Sequence, residues 1–74
     1  MGAPEWLAEI RKVIDRLPES FALKDVYAAE ELLQATFPGN QHIRDKIRQQ
    51  LQLLRDSGEL VFLGSGHYQR VRNT

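Results

Sequence analysis

Cysteine is absent from the sequence, which excludes disulfide bonds and cysteine-ligated zinc sites. No apolar run approaches the roughly 20 residues that a transmembrane helix requires. The N-terminus lacks the charged and then apolar pattern of a signal peptide. These absences favour a cytoplasmic protein. The 74 residues suffice for one small domain, of which we expect residues 1–3 to be disordered or a cloning remnant. With two histidines and no cysteine, no metal or other cofactor is expected.

The formal net charge is zero, but the charges are unevenly distributed along the chain. Residues 1–38 carry seven acidic and four basic side chains, whereas residues 39–74 carry three acidic and six basic ones. A small domain with one basic part is a candidate for binding a polyanion such as nucleic acid. Chance produces similar imbalances in short chains, so this feature alone leaves both interpretations open.

Two amphipathic helices are predicted in the first half of the chain, because apolar residues recur there every three or four positions. The first covers roughly residues 5–17, with Pro4 suited to its first turn and Pro18 ending it. Its apolar stripe is Trp6, Leu7, Ile10, Val13, Ile14 and Leu17. The second covers roughly residues 24–36, and its apolar contacts are Val26, Tyr27, Leu32, Leu33 and Phe37. The adjacent acids in it, Glu30 and Glu31, are interpreted as a solvated face because they lack a partner for acid–base chemistry.

A third helix is predicted from Asn40 to about residue 57. Asn40 is a favourable N-cap residue, and Gly58 suits the left-handed position that follows a helix. The buried stripe of this helix is expected to be Ile43, Ile47, Leu51 and Leu54.

The remaining segments have the character of strands. Residues 21–23 form a short apolar link that is compatible with one extended strand. Residues 59–63 and 67–71 are strand-like and flank the turn Gly64-Ser65-Gly66, which predicts an antiparallel hairpin. Three helices, a short strand after the first of them and a C-terminal hairpin are the order of a winged helix-turn-helix domain of the α+β class. In such a domain the third helix enters the major groove and the hairpin forms the wing.

The face of the third helix opposite its apolar stripe is rich in arginine and amide side chains, namely Gln41, Arg44, Arg48, Gln49 and Gln52. Arginine forms paired hydrogen bonds with guanine, and glutamine or asparagine forms them with adenine. This pattern favours a helix that reads DNA bases. Glutamine is also a good helix former, so ordinary solubilising positions are the alternative.

Other polar residues near this face have several possible roles. Asp45 could accept a hydrogen bond from cytosine, pair with Arg48 or Gln49, or orient Gln41. His42 could reach a base or a phosphate. Contacts with the DNA backbone are expected from Lys46, Gln52, Ser65, His67 and Arg70, although Lys46 is equally compatible with simple solvation. Tyr68 is expected to pack under the hairpin.

Several segments of the sequence resemble one family closely. They are the stretch from Phe37 to Ile43, the run KIRQQLQLLRDSG at residues 46–58, and the wing FLGSGHY at residues 62–68, preceded by Tyr27 and by Glu30-Glu31-Leu32. Over residues 21–71 the chain resembles the C-terminal winged-helix domain of DpnI-type (Dam-replacing), methyl-directed restriction endonucleases.

The resemblance implies a specific DNA-binding function. Enzymes of this family cut GATC sites whose adenine carries an N6-methyl group, using a separate metal-dependent PD-(D/E)xK nuclease domain. Their winged helix binds the same methylated site independently. By resemblance we expect a reading domain without the nuclease, acting as a monomer on double-stranded DNA. Base contacts carried over to this chain are Asn40, Gln41, His42, Arg44, Asp45, Arg48 and Gln49.

Two other classes of function compete with DNA reading. A winged helix can serve protein–protein assembly, here through the acids around Glu30 or the stripe of the first helix, or it can regulate transcription without methyl specificity. An enzyme is disfavoured because the sequence shows no serine, cysteine, paired-carboxylate or metal constellation of catalytic type. DNA binding that increases with methylation would distinguish the reader from these alternatives.

Overall fold

The computed structural model describes residues 5–71. Along the chain the elements are α1 (Trp6–Asp15), β1 (Ser20–Ala22), α2 (Leu23–Tyr27), α3 (Glu30–Thr36), α4 (Ile43–Asp56), β2 (Leu60–Gly64) and β3 (His67–Arg70). This order confirms the α+β class, the short strand after the first helix and the C-terminal hairpin. The expectations for residues 1–4 and 72–74 lie outside the described residues. None of the helices within residues 5–71 is long and apolar enough to cross a membrane.

The prediction of a single second helix is wrong, because this segment forms α2 and α3. The interruption lies at Ala28 and Ala29. The Ala29 N–H donates to the Val26 carbonyl at 3.0 Å, three residues back along the chain, whereas an α-helical bond reaches four residues back. Ala29 has φ −89° and ψ 9°, outside the helical region. Alanine favours helices, so the local sequence gives no sign of the break. The described chain consequently has four helices rather than three.

The start of the predicted third helix also differs from the prediction, since α4 begins at Ile43 and not at Asn40. The Asn40 side-chain oxygen accepts the His42 N–H at 2.8 Å, which closes a local turn before the helix. Gln34 of α3 donates its side-chain N–H to the Asn40 carbonyl at 2.9 Å and fixes that turn. Asn40, Gln41 and His42 therefore belong to the turn between α3 and α4.

The end of α4 is as predicted. Gly58 has φ +86°, the left-handed conformation. Its N–H donates to the Arg55 carbonyl at 3.1 Å, and the Glu59 N–H donates to the Leu54 carbonyl at 2.9 Å. These two bonds form the Schellman motif that satisfies the last carbonyls of a helix.

The hydrophobic core lies between α4, the other helices and the sheet. All four predicted stripe residues of α4 are at most 3% exposed. The other buried apolar residues are Ile10, Ile14, Phe21, Val26, Leu33 and Leu60. Trp6 packs against this core with its ring stacked on Phe37 at 4.0 Å between centroids. Leu32 was expected to make core contacts but is 57% exposed.

The sheet has the strand order β1-β3-β2, and both pairings are antiparallel. Phe21 and Phe62 flank Tyr68 in register, with ring centroids 5.9 and 5.3 Å from the tyrosine ring. This contact confirms that Tyr68 packs under the hairpin. The hairpin turn is Ser65-Gly66, and both residues have positive φ, as a type I′ turn requires. The Leu23 N–H donates to the Gly66 carbonyl at 2.7 Å, so the turn is attached to the start of α2.

Candidate nucleic-acid interface

The buried stripe of α4 determines which side chains of this helix face solvent. Because Ile43, Ile47 and Leu51 point into the core, the opposite side is exposed. We call this surface the α4 ridge; it consists of Arg44, Asp45, Arg48, Gln49 and Gln52, all of them exposed. The predicted arginine and amide surface is thus present on α4, except for Gln41.

Three candidate base contacts lie ahead of the helix. Asn40, Gln41 and His42 were expected on the N-terminal half of the recognition helix, but they occupy the turn that precedes it. The turn nevertheless brings Asn40 and His42 beside the ridge. Asn40 and His42 line one shallow surface depression together with Asp45, Lys46 and Gln49. Lys46 is only partly exposed at the edge of the ridge.

Arg44 is held by residues from two other helices. Its Nε donates to Glu30 Oε1 at 3.0 Å, and Glu30 is the first residue of α3. Its guanidinium carbon lies 4.9 Å from the centre of the ring of Tyr27, and Tyr27 is the last residue of α2. This distance is within the range of a cation–π interaction. The guanidinium of Arg44 is therefore positioned by the tertiary structure.

Arg48 is held within its own helix. Its Nη2 donates to Asp45 Oδ1 at 2.6 Å, one turn earlier on α4. This hydrogen bond is the largest cause of a raised pKa for Arg48. Among the roles considered for Asp45, the structure shows the pairing with Arg48. Asp45 also lies in the first turn of α4, where a carboxylate interacts favourably with the helix dipole.

His42 lies close to the same carboxylate. Its Nδ1 is 4.0 Å from Asp45 Oδ2, an ion pair only when the imidazole is protonated. Asp45 thus stands between His42 and Arg48 at the N-terminal end of the ridge. A base or phosphate that approaches this end meets one carboxylate and two potential cations.

The candidate backbone contacts of the wing lie at two different places in the structure. Ser65 and His67 are exposed at the hairpin turn, where His67 Nδ1 is 3.0 Å from the Ser65 carbonyl oxygen. Arg70 lies at the other end of β3. Its Nη2 donates to the Leu17 carbonyl at 3.1 Å, and its Nη1 is 3.5 Å from Asp15 Oδ1. In this conformation the Arg70 guanidinium lies at the C-terminal end of α1 and not beside Ser65 and His67.

The fold brings charged residues of the acidic half of the sequence into contact with charged residues of the basic half. Ion pairs within residues 5–71 join the acidic half to the basic half, and they include those between Arg11 and Glu59, Glu30 and Arg44, and Asp15 and Arg70. Glu30, which the sequence predicts on a solvated face, also contacts Arg44. These residues are 14 positions apart on different helices, and no local pattern of the sequence indicates such a contact.

A protein-family comparison agrees with this geometry. The family DpnI_C, described as a Dam-replacing HTH domain, matches residues 3–70. The match includes α1, which the resemblance noted in the sequence did not reach. In the described residues, α3, the turn after it and α4 supply the helix-turn-helix, and no group of three or more His, Cys, Asp or Glu side chains there could hold a metal ion. The chain belongs to the family of Dam-replacing HTH domains and is a DNA-binding helix-turn-helix domain.

Proposed function

We propose that this domain reads N6-methyladenine in GATC sites of double-stranded DNA, with α4 in the major groove. The observation that carries the proposal is the α4 ridge, which presents arginine and amide side chains on the recognition helix of a Dam-replacing HTH domain. The major groove is wide enough for one α-helix. It also displays the N6 position of adenine, where the methyl group is attached.

The chemistry of the ridge suits the bases of this site. The fork of an arginine guanidinium matches guanine O6 and N7, and a carboxylate such as Asp45 accepts from cytosine N4. Methylation replaces an N–H donor of adenine by an apolar group, so the reader must supply a close apolar contact there. Burial of one methyl group contributes about 0.8 kcal/mol, which corresponds to about a fourfold gain in affinity.

The proposed contacts fall into two groups. Base contacts are assigned to Asn40, Gln41, His42, Arg44, Asp45, Arg48 and Gln49. Backbone contacts are assigned to Lys46, Gln52, Ser65, His67 and Arg70. Of these, Arg70 must leave the Leu17 carbonyl before it can reach a phosphate.

The biological setting proposed for the domain follows from this role. It would serve as the specificity domain of a modification-dependent restriction endonuclease, with the nuclease activity in a separate domain, and act in the bacterial cytoplasm. The two methyl groups of a palindromic GATC site lie close together near its centre. A monomer can therefore meet both of them.

A titration with one GATC duplex in unmethylated, hemimethylated and fully methylated forms tests the proposal. Affinity should increase by about fourfold per methyl group, and salt should weaken all three complexes alike through their phosphate contacts. A scrambled duplex serves as the reference for non-specific binding. Equal affinity for all methylation states would contradict the methyl-reading role.

A second candidate function, docking to another protein, is favoured by an open groove between α1, α2 and α3. Leu32 is 57% exposed in this groove, beside Val13, Leu17 and Ala29. If docking to a protein is the main function, the domain should bind no duplex at low salt, and Leu32→Gln should abolish a defined assembly. If DNA reading is the function, Leu32→Gln should leave DNA affinity unchanged.

A further inference from the structure

We infer that Glu30, together with Tyr27, determines how strictly Arg44 distinguishes a base from a phosphate. This inference rests on the proposed function, because it assigns Arg44 to a base edge in the major groove. Neither Glu30 nor Tyr27 belongs to the α4 ridge. Both would act through Arg44 and are positioning residues.

The first argument is geometric. The carboxylate of Glu30 holds Nε of Arg44 at 3.0 Å, and the Tyr27 ring lies 4.9 Å from the guanidinium carbon. The two terminal Nη groups of Arg44 make no hydrogen bond to the described residues. They form the fork that matches guanine O6 and N7. The guanidinium is thus oriented in the free protein, which lowers the conformational entropy lost on binding a base.

The second argument is electrostatic. Non-specific binding depends on attraction between free cationic charge and phosphate, whereas base reading depends on directed hydrogen bonds. A carboxylate at 3.0 Å from Nε offsets part of the charge of Arg44 as seen from a phosphate, but it leaves both Nη groups able to donate. Glu30 should therefore weaken non-specific binding while preserving base contacts.

Arg48 provides the contrast within the same helix. Its carboxylate partner, Asp45, is one turn away on α4, and the bond uses a terminal nitrogen, Nη2. A guanine would have to compete with Asp45 for that nitrogen. Arg44 instead uses Nε for its ion pair, so both of its Nη groups are available to a base, and residues of α2 and α3 hold its guanidinium in place. Arg44 is therefore the better oriented of the two arginines for reading a base.

Substitution of either residue of the pair should leave the domain folded. The side chains of Arg44 and Glu30 are 61% and 40% exposed, and ion pairs at such positions contribute little to stability. Glu30→Gln removes the charge with little change of shape. Glu31→Gln is the matched control, because it removes the same charge at the next position, where no ion pair joins Glu31 to another described residue.

The experiment measures the affinity of each protein for the fully methylated GATC duplex and for a scrambled duplex across a salt series. In Glu30→Gln the ratio of the two affinities should fall about two- to fivefold, mainly because binding to the scrambled duplex strengthens. The salt slope on the scrambled duplex should steepen by about 0.9, the value of one added phosphate contact. Glu31→Gln should leave the ratio unchanged.

A double variant tests whether Glu30 acts through Arg44. In the Arg44→Ala background, Glu30→Gln should no longer change the affinity ratio. Tyr27→Leu should weaken binding to the methylated site and leave binding to the scrambled duplex unchanged, while Tyr27→Phe, which keeps the ring, should resemble the wild type. Circular dichroism melting of each variant verifies that it is folded.

The outcomes separate the inference from the proposed function. If the wild type binds both duplexes equally, the proposed function fails and the inference fails with it. If the wild type discriminates but Glu30→Gln keeps the same ratio as Glu31→Gln, only the inference is overturned. Persistence of the Glu30→Gln effect in the Arg44→Ala background would overturn it as well.

Discussion

Arg11 of α1 and Glu59, which follows the end of α4, form a two-point ion pair. Arg11 Nε donates to Glu59 Oε1 at 3.1 Å, and Nη2 donates to Oε2 at 2.8 Å. The Ser57 hydroxyl also donates to Glu59, at 3.0 Å. The pair connects the first helix to the residue that enters the wing, across 48 positions of the chain.

The Glu59 pair should make stability depend on pH. The hydrogen bond from Arg11, and then that from Ser57, lower the pKa of Glu59 below its ordinary value of 4.5. A lowered folded pKa means that the stabilisation is present above the unfolded pKa and is lost as the pH falls through the folded one. Glu59→Gln should therefore melt at a lower temperature than the wild type at pH 7. The difference should begin to shrink as the pH falls below about 4.5, and it should disappear only below the lowered pKa of folded Glu59. A difference that stays constant with pH would contradict this, and Glu31→Gln is the control.

Arg48→Ala should reduce affinity for the methylated GATC duplex. If Arg48 contacts guanine, the cost is about 1–3 kcal/mol and discrimination between duplexes falls. Arg16→Ala, at an exposed position after α1, is the matched control and should have little effect. A small and uniform loss across all duplexes, with a salt slope lower by about one, would instead make Arg48 a phosphate contact.

Truncation of Ile47 should destabilise the fold in proportion to the atoms removed. Ile47 is 0% exposed in the middle of the buried stripe of α4. Ile47→Val should cost about 0.5–1.5 kcal/mol, and Ile47→Ala about 2–5 kcal/mol. Urea unfolding measures both. Leu53→Ala on the same helix is the control, because Leu53 is 48% exposed and its truncation should cost far less.

Gly58→Ala should destabilise the end of α4 by about 1 kcal/mol, because L-residues disfavour the left-handed φ of +86°. No heavy atom lies within 4 Å of an added Cβ, so this cost is conformational and not steric. Gly39→Ala is a matched comparison, since its added Cβ is equally free and its φ is not left-handed. It should be neutral or stabilise by about 0.4–1 kcal/mol through the unfolded state. Equal effects of the two substitutions would contradict the role of φ at Gly58.

Local patterns predicted much of the fold. The spacing of Ile43, Ile47 and Leu51 identified the buried side of α4, because a helix returns to the same side every three to four residues. The exposed ridge followed directly from that assignment. Gly58 and the turn Gly64-Ser65-Gly66 were identified from their residue types, whose backbone requirements depend little on tertiary context. The start of α4 was missed because Asn40 closes a side-chain turn of its own, three positions before the first helical residue, Ile43.

Periodicity and turn chemistry in the sequence by themselves determined the class of the fold, the face of the recognition helix and its arginine and amide character. The tertiary structure alone decided that α2 and α3 are separate, that β1 pairs with β3, and that Arg44 is held by Glu30 and Tyr27. The physical reason is the separation along the chain of the residues that interact. A helix stripe and a cap arise from neighbours within a few positions, whereas the contacts around Arg44 require three helices to be packed first.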